Sequence, residues 1–202
     1  SGLWQTVFVD DINNDGNLDF LAGNWGWNTK FWSGKDSPLK LYVADFDKSG
    51  QTEQLLSYTI NGKEYPFLAK DEVERPLPLL KKHYLRYEEY AGVEMKDVFY
   101  GWIDTVQPVL AERLGSVVAY GNGKGAFELK SLPAELQLAP IFSFQKLPAG
   151  SSGNSYISGG NFFDVIPYEG RYDAQPLSVF RYGRGDSIQY VHQPGLFSLK
   201  YQ

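Results

Sequence analysis

The chain has 202 residues, a formal net charge of -5, no cysteine, 16% aromatic residues, 21 glycines and 11 prolines. The lack of cysteine excludes a disulfide scaffold and a thiolate zinc site. The acidic balance, with no lysine or arginine cluster, argues against a nucleic-acid partner, and no apolar run approaches the roughly 20 residues a membrane-spanning helix needs.

Ser1 and Gly2 stand where an initiating Met would be, so the chain is expected to be a mature or excised product with targeting information missing. "QTVFV" and "LDFLAG" are short, β-branched or aromatic runs that read as strands. Between them lies "DDINNDGNLD", residues 10–19. Calcium takes six to eight oxygen ligands at about 2.3–2.6 Å, so a short loop must curl several oxygens inward. Asp11, Asn13 and Asp15 alternate suitably, Gly16 permits the turn, Asn17 can offer its carbonyl, and Asp19 can close the ring. An EF-hand needs glutamate at loop position twelve and flanking helices. Ala22 occupies that position, so the choice lies between a strand-loop-strand calcium site and an ion-free polar turn. The aromatic cluster that follows, Trp25, Trp27, Phe31 and Trp32, is expected to pack in a core, with sugar stacking as the alternative.

A second acidic loop follows the strand-like "LKLYVA". "DFDKSGQTE" places Asp45, Asp47, Ser49 and Glu53 where the first loop has Asp11, Asn13, Asp15 and Asp19, an offset of 34, and Gly50 matches Gly16. Ser49 removes one carboxylate, so this site is expected to be the weaker. From about 64 to 115 the pattern changes to an insertion. Leu77, Leu80, Tyr84, Tyr87 and Ala91 fall at helical spacing, with Pro78 near the start and Gly92 as a stop, and "EMKDVF" adds another turn. "LKKHYLR" reads as a solvated helix face.

"SVVAYGNG" at 116–123 and "SVFRYGRG" at 178–185 agree at five of eight positions, and each leads into another strand-like run. Both are predicted β-hairpins. "APIFSF" and "ISGGNFF" resemble the strands beside the acidic loops, but the segment between them has no Asp or Glu, and this third loop is expected to bind no cation. A period near 62 residues, with a loop early and a hairpin late, gives enough chain for a four-stranded propeller blade. The fold class expected is mainly β: β-propeller-type blades of antiparallel sheets, a partial propeller of about three repeat units, forming one segment over 1–202 with a helical insertion. The 34-residue offset is short for four strands, so the first blade is either trimmed or completed from elsewhere.

"VDDINNDGNLDFLAGN" and "YVADFDKSGQTEQLLSY" resemble FG-GAP, or VCBS, repeats of integrin-alpha-like β-propellers. "GNWGWN", "PLKLYVADFD", "NGKEYP", "LPLLKKHYLRYEEYA" and "GRYDAQPL" look like segments of a bacterial secreted or surface-anchored branch of that family. The resemblance implies calcium at Asp11, Asn13, Asp15, Asn17 and Asp19, and at Asp45, Asp47, Ser49, Gln51 and Glu53. It also implies an extracellular, cell-surface or periplasmic location, further blades in a longer chain, and a protein or glycan ligand. Calcium would be structural, and the function a binding or adhesion scaffold.

A carbohydrate-active propeller, either a glycan-binding module or a polysaccharide lyase, is the alternative. Glu169, Arg171, Tyr172 and Asp173 could supply a base and a charge clamp, although a strand-turn element with Arg171 paired to a carboxylate explains them too. His83 and His192 are the two histidines, and no G-x-S-x-G, zinc-helix or phosphate-loop motif accompanies them. Arg184-Gly185-Asp186 is an integrin-recognition tripeptide, but the repeat places it where glycine turns a hairpin.

Overall fold

The computed structural model describes residues 1–148, 153–165, 170–183 and 187–191. Residues 149–152 of the acid-free third loop lie outside these residues, as do Glu169, Arg184-Gly185-Asp186 and His192.

Among the described residues, twelve strands form three antiparallel four-stranded sheets. They are β1 (Thr6–Asp10), β2 (Asp19–Gly23), β3 (Leu39–Ala44), β4 (Glu53–Ile60), β5 (Lys63–Pro66), β6 (Val109–Ala111), β7 (Val117–Gly121), β8 (Phe127–Ser131), β9 (Ile141–Lys146), β10 (Ser155–Gly160), β11 (Ser178–Gly183) and β12 (Ser187–Val191). The first sheet runs β1-β2-β7-β8, the second β5-β4-β3-β6 and the third β12-β11-β10-β9. The mainly β, antiparallel expectation is thus met.

The chain divides into two compact units. One holds Ser1–Gly2 and Phe31–Arg113; the other holds Leu3–Lys30 and the described residues from Leu114 onward. Along the chain, the second sheet and the α-helices of the described residues fall between β2 and β7. β2 pairs with β7 through Phe20↔Ala119, Leu21↔Val118 and Ala22↔Val117. That pairing completes the first sheet, and the short offset between the acidic loops follows from it. It also places the hairpins β7-β8 and β11-β12, the 62-residue repeat, at the same positions of the first and third sheets.

In the discontinuous unit, alternation decides which side chains go inside. Phe8, Leu21 and Val118 share one face of the first sheet, and this face meets Phe144, Tyr156 and Phe180 of the third. Ile12, Leu132, Leu136 and Ile141 fill the same core. Close approach of backbones needs glycine: a Cβ at Gly160 would lie 1.7 Å from Pro140 O, at the register shift that ends the β9-β10 ladder. The opposite face of the first sheet is apolar as well. Val9, Phe20, Ala119 and Leu129 form one row across it and Val7, Ala22 and Val117 most of the next, with Val7 62% exposed.

In the other unit, β3 and β4 carry Tyr42 and Leu55 onto a core completed by Val73, Leu77, Leu80, Met95, Val98, Phe99 and Ile103. These come from α1 (Lys70–Glu74), a 3-10 turn at Pro78–Lys82 and α3 (Met95–Val98), or from the segments joining and following them, whereas α2 (Tyr87–Tyr90) has no buried residue. The continuous helix implied by the spacing from Leu77 to Ala91 is not formed. Arg86 is extended, at φ -117 and ψ 153, and Leu85 and Arg86 donate their N–H groups to Glu89 Oε2 at 2.8 and 3.1 Å. The carboxylate caps a new helix there, so the earlier turn ends rather than continuing. Among the described residues no helix is long and apolar enough to cross a membrane.

Candidate metal loops

The two acidic loops join paired strand ends, Asp10↔Asp19 in β1-β2 and Ala44↔Glu53 in β3-β4. Each turns through two positive-φ residues, Asn14 (φ 60) and Gly16 (φ 87) in the first loop, Lys48 (φ 60) and Gly50 (φ 87) in the second. Asn tolerates this region and glycine favours it, whereas Lys48 must be held there. The holding bonds repeat. Asp15 N and Gly16 N donate to the two carboxylate oxygens of Asp11 at 3.0 Å each; Ser49 N and Gly50 N do the same to Asp45 at 2.9 Å. Asp15 N also reaches Asn13 Oδ1 at 3.0 Å, and Ser49 N reaches Asp47 Oδ1 at 3.0 Å. Asn17 N donates to Asp15 Oδ1 at 2.8 Å, and Gln51 N to Ser49 Oγ at 3.4 Å. The ring is closed in both by the residue opening the second strand: Ile12 N to Asp19 Oδ2 at 3.0 Å, and Phe46 N to Glu53 Oε2 at 2.8 Å.

The loops differ in what their carboxylates can still do. Asp19 is fully buried, and its second oxygen accepts the N–H of Gly121 at 2.9 Å, which ties the loop to β7. Asn154 adds a prop, donating from Nδ2 to the carbonyl of Asp11 at 2.8 Å and to Asn14 Oδ1 at 3.0 Å. In the exposed part of the loop, the Asn17 N–H and the Asn13 amide hold the Asp15 carboxyl below its ordinary range. In the second loop, Asp45, Asp47 and Glu53 each bring one oxygen into a cluster whose members lie within 4.8 Å of one another. Two oxygens on one calcium lie no more than about 5 Å apart, so this donor set fits the ion. Each carboxylate oxygen that accepts one N–H keeps a further lone-pair site. Among the described residues the first loop forms no comparable carboxylate cluster, and Asn13 stands there in place of Asp47.

The other sequence candidates separate. Trp25 is half-buried against Phe162 and Tyr172, with ring centroids 5.3 and 5.4 Å away. Phe31 packs on Phe67 at 4.8 Å. Trp27 and Trp32 are 53% and 69% exposed, which corrects their assignment to a core; the edge of Trp27 lies over Gly115, where a Cβ would meet its ring nitrogen at 2.6 Å. Tyr172 is buried, and its backbone pairs with Phe162 in an isolated bridge. Arg171 is exposed and has no carboxylate partner among the described residues. His83 lies on the exposed side of the inserted helical segment.

Sequence reasoning missed Asn154 and the cluster around Asp10. Lys146 Nζ and Tyr156 Oη approach Asp10 Oδ2 at 2.6 and 2.7 Å, and only the pairing of distant strands brings them together. It also missed Glu64, which accepts hydrogen bonds from Lys40, Tyr42 and Ser57 across the second sheet at 2.6, 2.9 and 2.5 Å. No family model, curated protein or solved structure matches the chain.

Proposed function

We propose that the chain is part of a calcium-stabilised β-propeller that acts as a non-enzymatic binding or adhesion scaffold in a bacterial surface or periplasmic protein. The observation that carries the reading is the repetition of five hydrogen bonds in two loops whose sequences share only part of their accepting side chains. Such a device gathers carboxylates at the turn of a strand-loop-strand unit, and a divalent cation offsets their repulsion. The ion would supply charge neutralisation and cross-linking of the loop, while the N–H groups of residues 15, 16, 49 and 50 orient the carboxylates. The apolar outer face of the first sheet supports further sheets in the assembly, since the exposed Val7, Val9 and Leu129 on it favour cover by another layer. A lyase reading is weakened by the burial of Tyr172.

The test is calorimetric titration of the chelator-treated chain with calcium. The proposal expects saturable binding that weakens in Asp15→Ala and in Asp47→Ala, each variant affecting its own site. Heat indistinguishable from dilution, with no effect of either variant, would reduce both loops to polar turns.

A further inference from the structure

The last strand of the first sheet, β8, is an edge whose outward backbone groups have no partner among the described residues. Which groups face out follows from the two ends of its ladder to β7. Leu132 N donates to the carbonyl of Ser116 at 3.0 Å, and Asn122 N to the carbonyl of Ala126 at 3.1 Å. Hydrogen-bonded pairs alternate along an antiparallel ladder. Glu128 and Lys130 therefore turn their N–H and C=O groups to Tyr120 and Val118, while Phe127, Leu129 and Ser131 turn theirs away. We propose that this edge pairs with the same strand of a second copy of the chain, antiparallel and centred on Leu129, so that two four-stranded sheets become one.

Charge selects both the occupant and the register. With Leu129 opposite its own counterpart, Phe127 faces Ser131 and Glu128 faces Lys130 of the second copy, each contact occurring twice by symmetry. All the outward N–H and C=O groups then meet, in about six hydrogen bonds. Sliding one strand to either neighbouring register that still pairs these groups sets Glu128 against Glu128, or Lys130 against Lys130. Like charges directly opposite destabilise a strand pair, and opposite charges stabilise it. Within one copy Glu128 and Lys130 make only a long contact, 3.5 Å, and the Glu128 side chain is 71% exposed. Its carboxylate is placed to meet the ammonium of the second copy.

The apolar side chains agree with this register. Leu129, half exposed, is the open end of the row that runs through Val9, Phe20 and Ala119. Pairing sets Leu129 beside Leu129, so the row continues into the second copy. Edge strands are ordinarily blunted against such pairing, and two others in this chain are. β5 ends in Pro66, which has no N–H to offer, and β6 spans only Val109–Ala111. β8 contains neither proline nor glycine, and its register with β7 is unbroken. One strand pair joins less surface than the roughly 1,200 Å² of stable complexes, so the dimer is weak and forms at about 0.1–1 mM.

The experiment is sedimentation equilibrium of the full chain from about 10 μM to about 1 mM, with amide exchange followed by NMR at both ends of that range. The expected result is a monomer–dimer equilibrium in which the amides of Phe127, Leu129 and Ser131 gain protection as concentration rises. Glu128→Lys and Lys130→Glu should each weaken association about tenfold, because each sets like charges opposite one another in both symmetric pairs. An equimolar mixture of the two variants should recover it, since every facing pair is then opposite in sign, and that recovery also shows that both variants fold. The double variant should dimerise as the wild type does. A chain that stays monomeric to about 1 mM overturns the proposal. So does association that both single variants leave unchanged, a mixture no stronger than either variant alone, or association without protection at those three amides.

Discussion

Tyr156 Oη donates a 2.7 Å hydrogen bond to Asp10 Oδ2, joining residues 146 positions apart. Lys146 reaches the same oxygen at 2.6 Å, so one carboxylate on β1 fastens both β9 and β10. Burial pushes the Asp10 carboxyl up, but Lys146 and Tyr156 outweigh it, and its pKa lies below the ordinary value. Burial first, and then the Asp10 carboxylate, push the Tyr156 phenol well above its usual range. A carboxyl depressed on folding stabilises the native state above its unfolded pKa, and loses that contribution as pH falls through the folded value. The stability of the wild type should therefore decline more steeply than that of Asp10→Asn below about pH 4. At the alkaline end a raised phenol acts in the opposite sense: its contribution is complete below about pH 10 and is lost as pH rises. Urea denaturation at a series of pH values measures both limbs. Tyr156→Phe should cost about 1.5–3 kcal/mol near neutrality, the range for a hydrogen bond to a charged group.

Asp19 and Asp47 should separate structure from metal affinity. Asp19→Ala leaves the N–H groups of Ile12 and Gly121 without their carboxylate, and is expected to lower stability by about 2–4 kcal/mol whether or not calcium is present. Asp47→Ala removes one member of the Asp45, Asp47 and Glu53 cluster. It should lower the calcium-free stability by no more than about 1 kcal/mol, the net worth of the one hydrogen bond it accepts from Ser49 N, while reducing the gain from calcium. Melting curves with calcium and with chelator distinguish the two.

With dissociation constants of about 0.1–1 mM, as in extracellular calcium modules, millimolar calcium should add about 1 kcal/mol per site. The loops belong to different compact units. Hydrogen exchange should accordingly show Asp15→Ala abolishing calcium protection around β1 and β2, and Asp47→Ala abolishing it around β3 and β4. A single response shared by both regions and removed by either variant would contradict independent sites.

Neighbouring glycines at the end of β10 should respond unequally. A Cβ at Gly159 would touch Ser143 Oγ at 3.4 Å, an ordinary contact with a mobile hydroxyl; at Gly160 it would collide with the Pro140 carbonyl at 1.7 Å. Gly160→Ala should cost about 3 kcal/mol or more through backbone displacement. Gly159→Ala should stay within about 1 kcal/mol.

The antiparallel strands and the kinship of the acidic loops were legible in the sequence, because period-two alternation and turn residues act locally. The partner of β2 was not legible. "SVVAYGNG" follows the second acidic loop in the chain, and nothing local reveals that it pairs instead with Phe20, Leu21 and Ala22 beside the first. The helix from Leu77 to Ala91 failed for a related reason: apolar spacing was present, but Glu89 captured the N–H groups of Leu85 and Arg86. At the candidate site, the ligating residue types were readable from their spacing. The second bond made by Asp19, to Gly121, depends on the same distant pairing and was not.

Because β2 must wait for β7, the order of synthesis imposes an order of folding. Residues 31–113 can condense on their own sheet while the strand edge at Phe20–Ala22 stays unsatisfied, and that edge closes only after Val117–Ala119 have been made. Long-range pairing of this kind is slow, and an open edge is a target for wrong partners. The chain places its most hazardous interval between completion of the inserted unit and arrival of β7. Refolding from denaturant should be correspondingly slower and more concentration-sensitive for β1 and β2 than for β3 and β4.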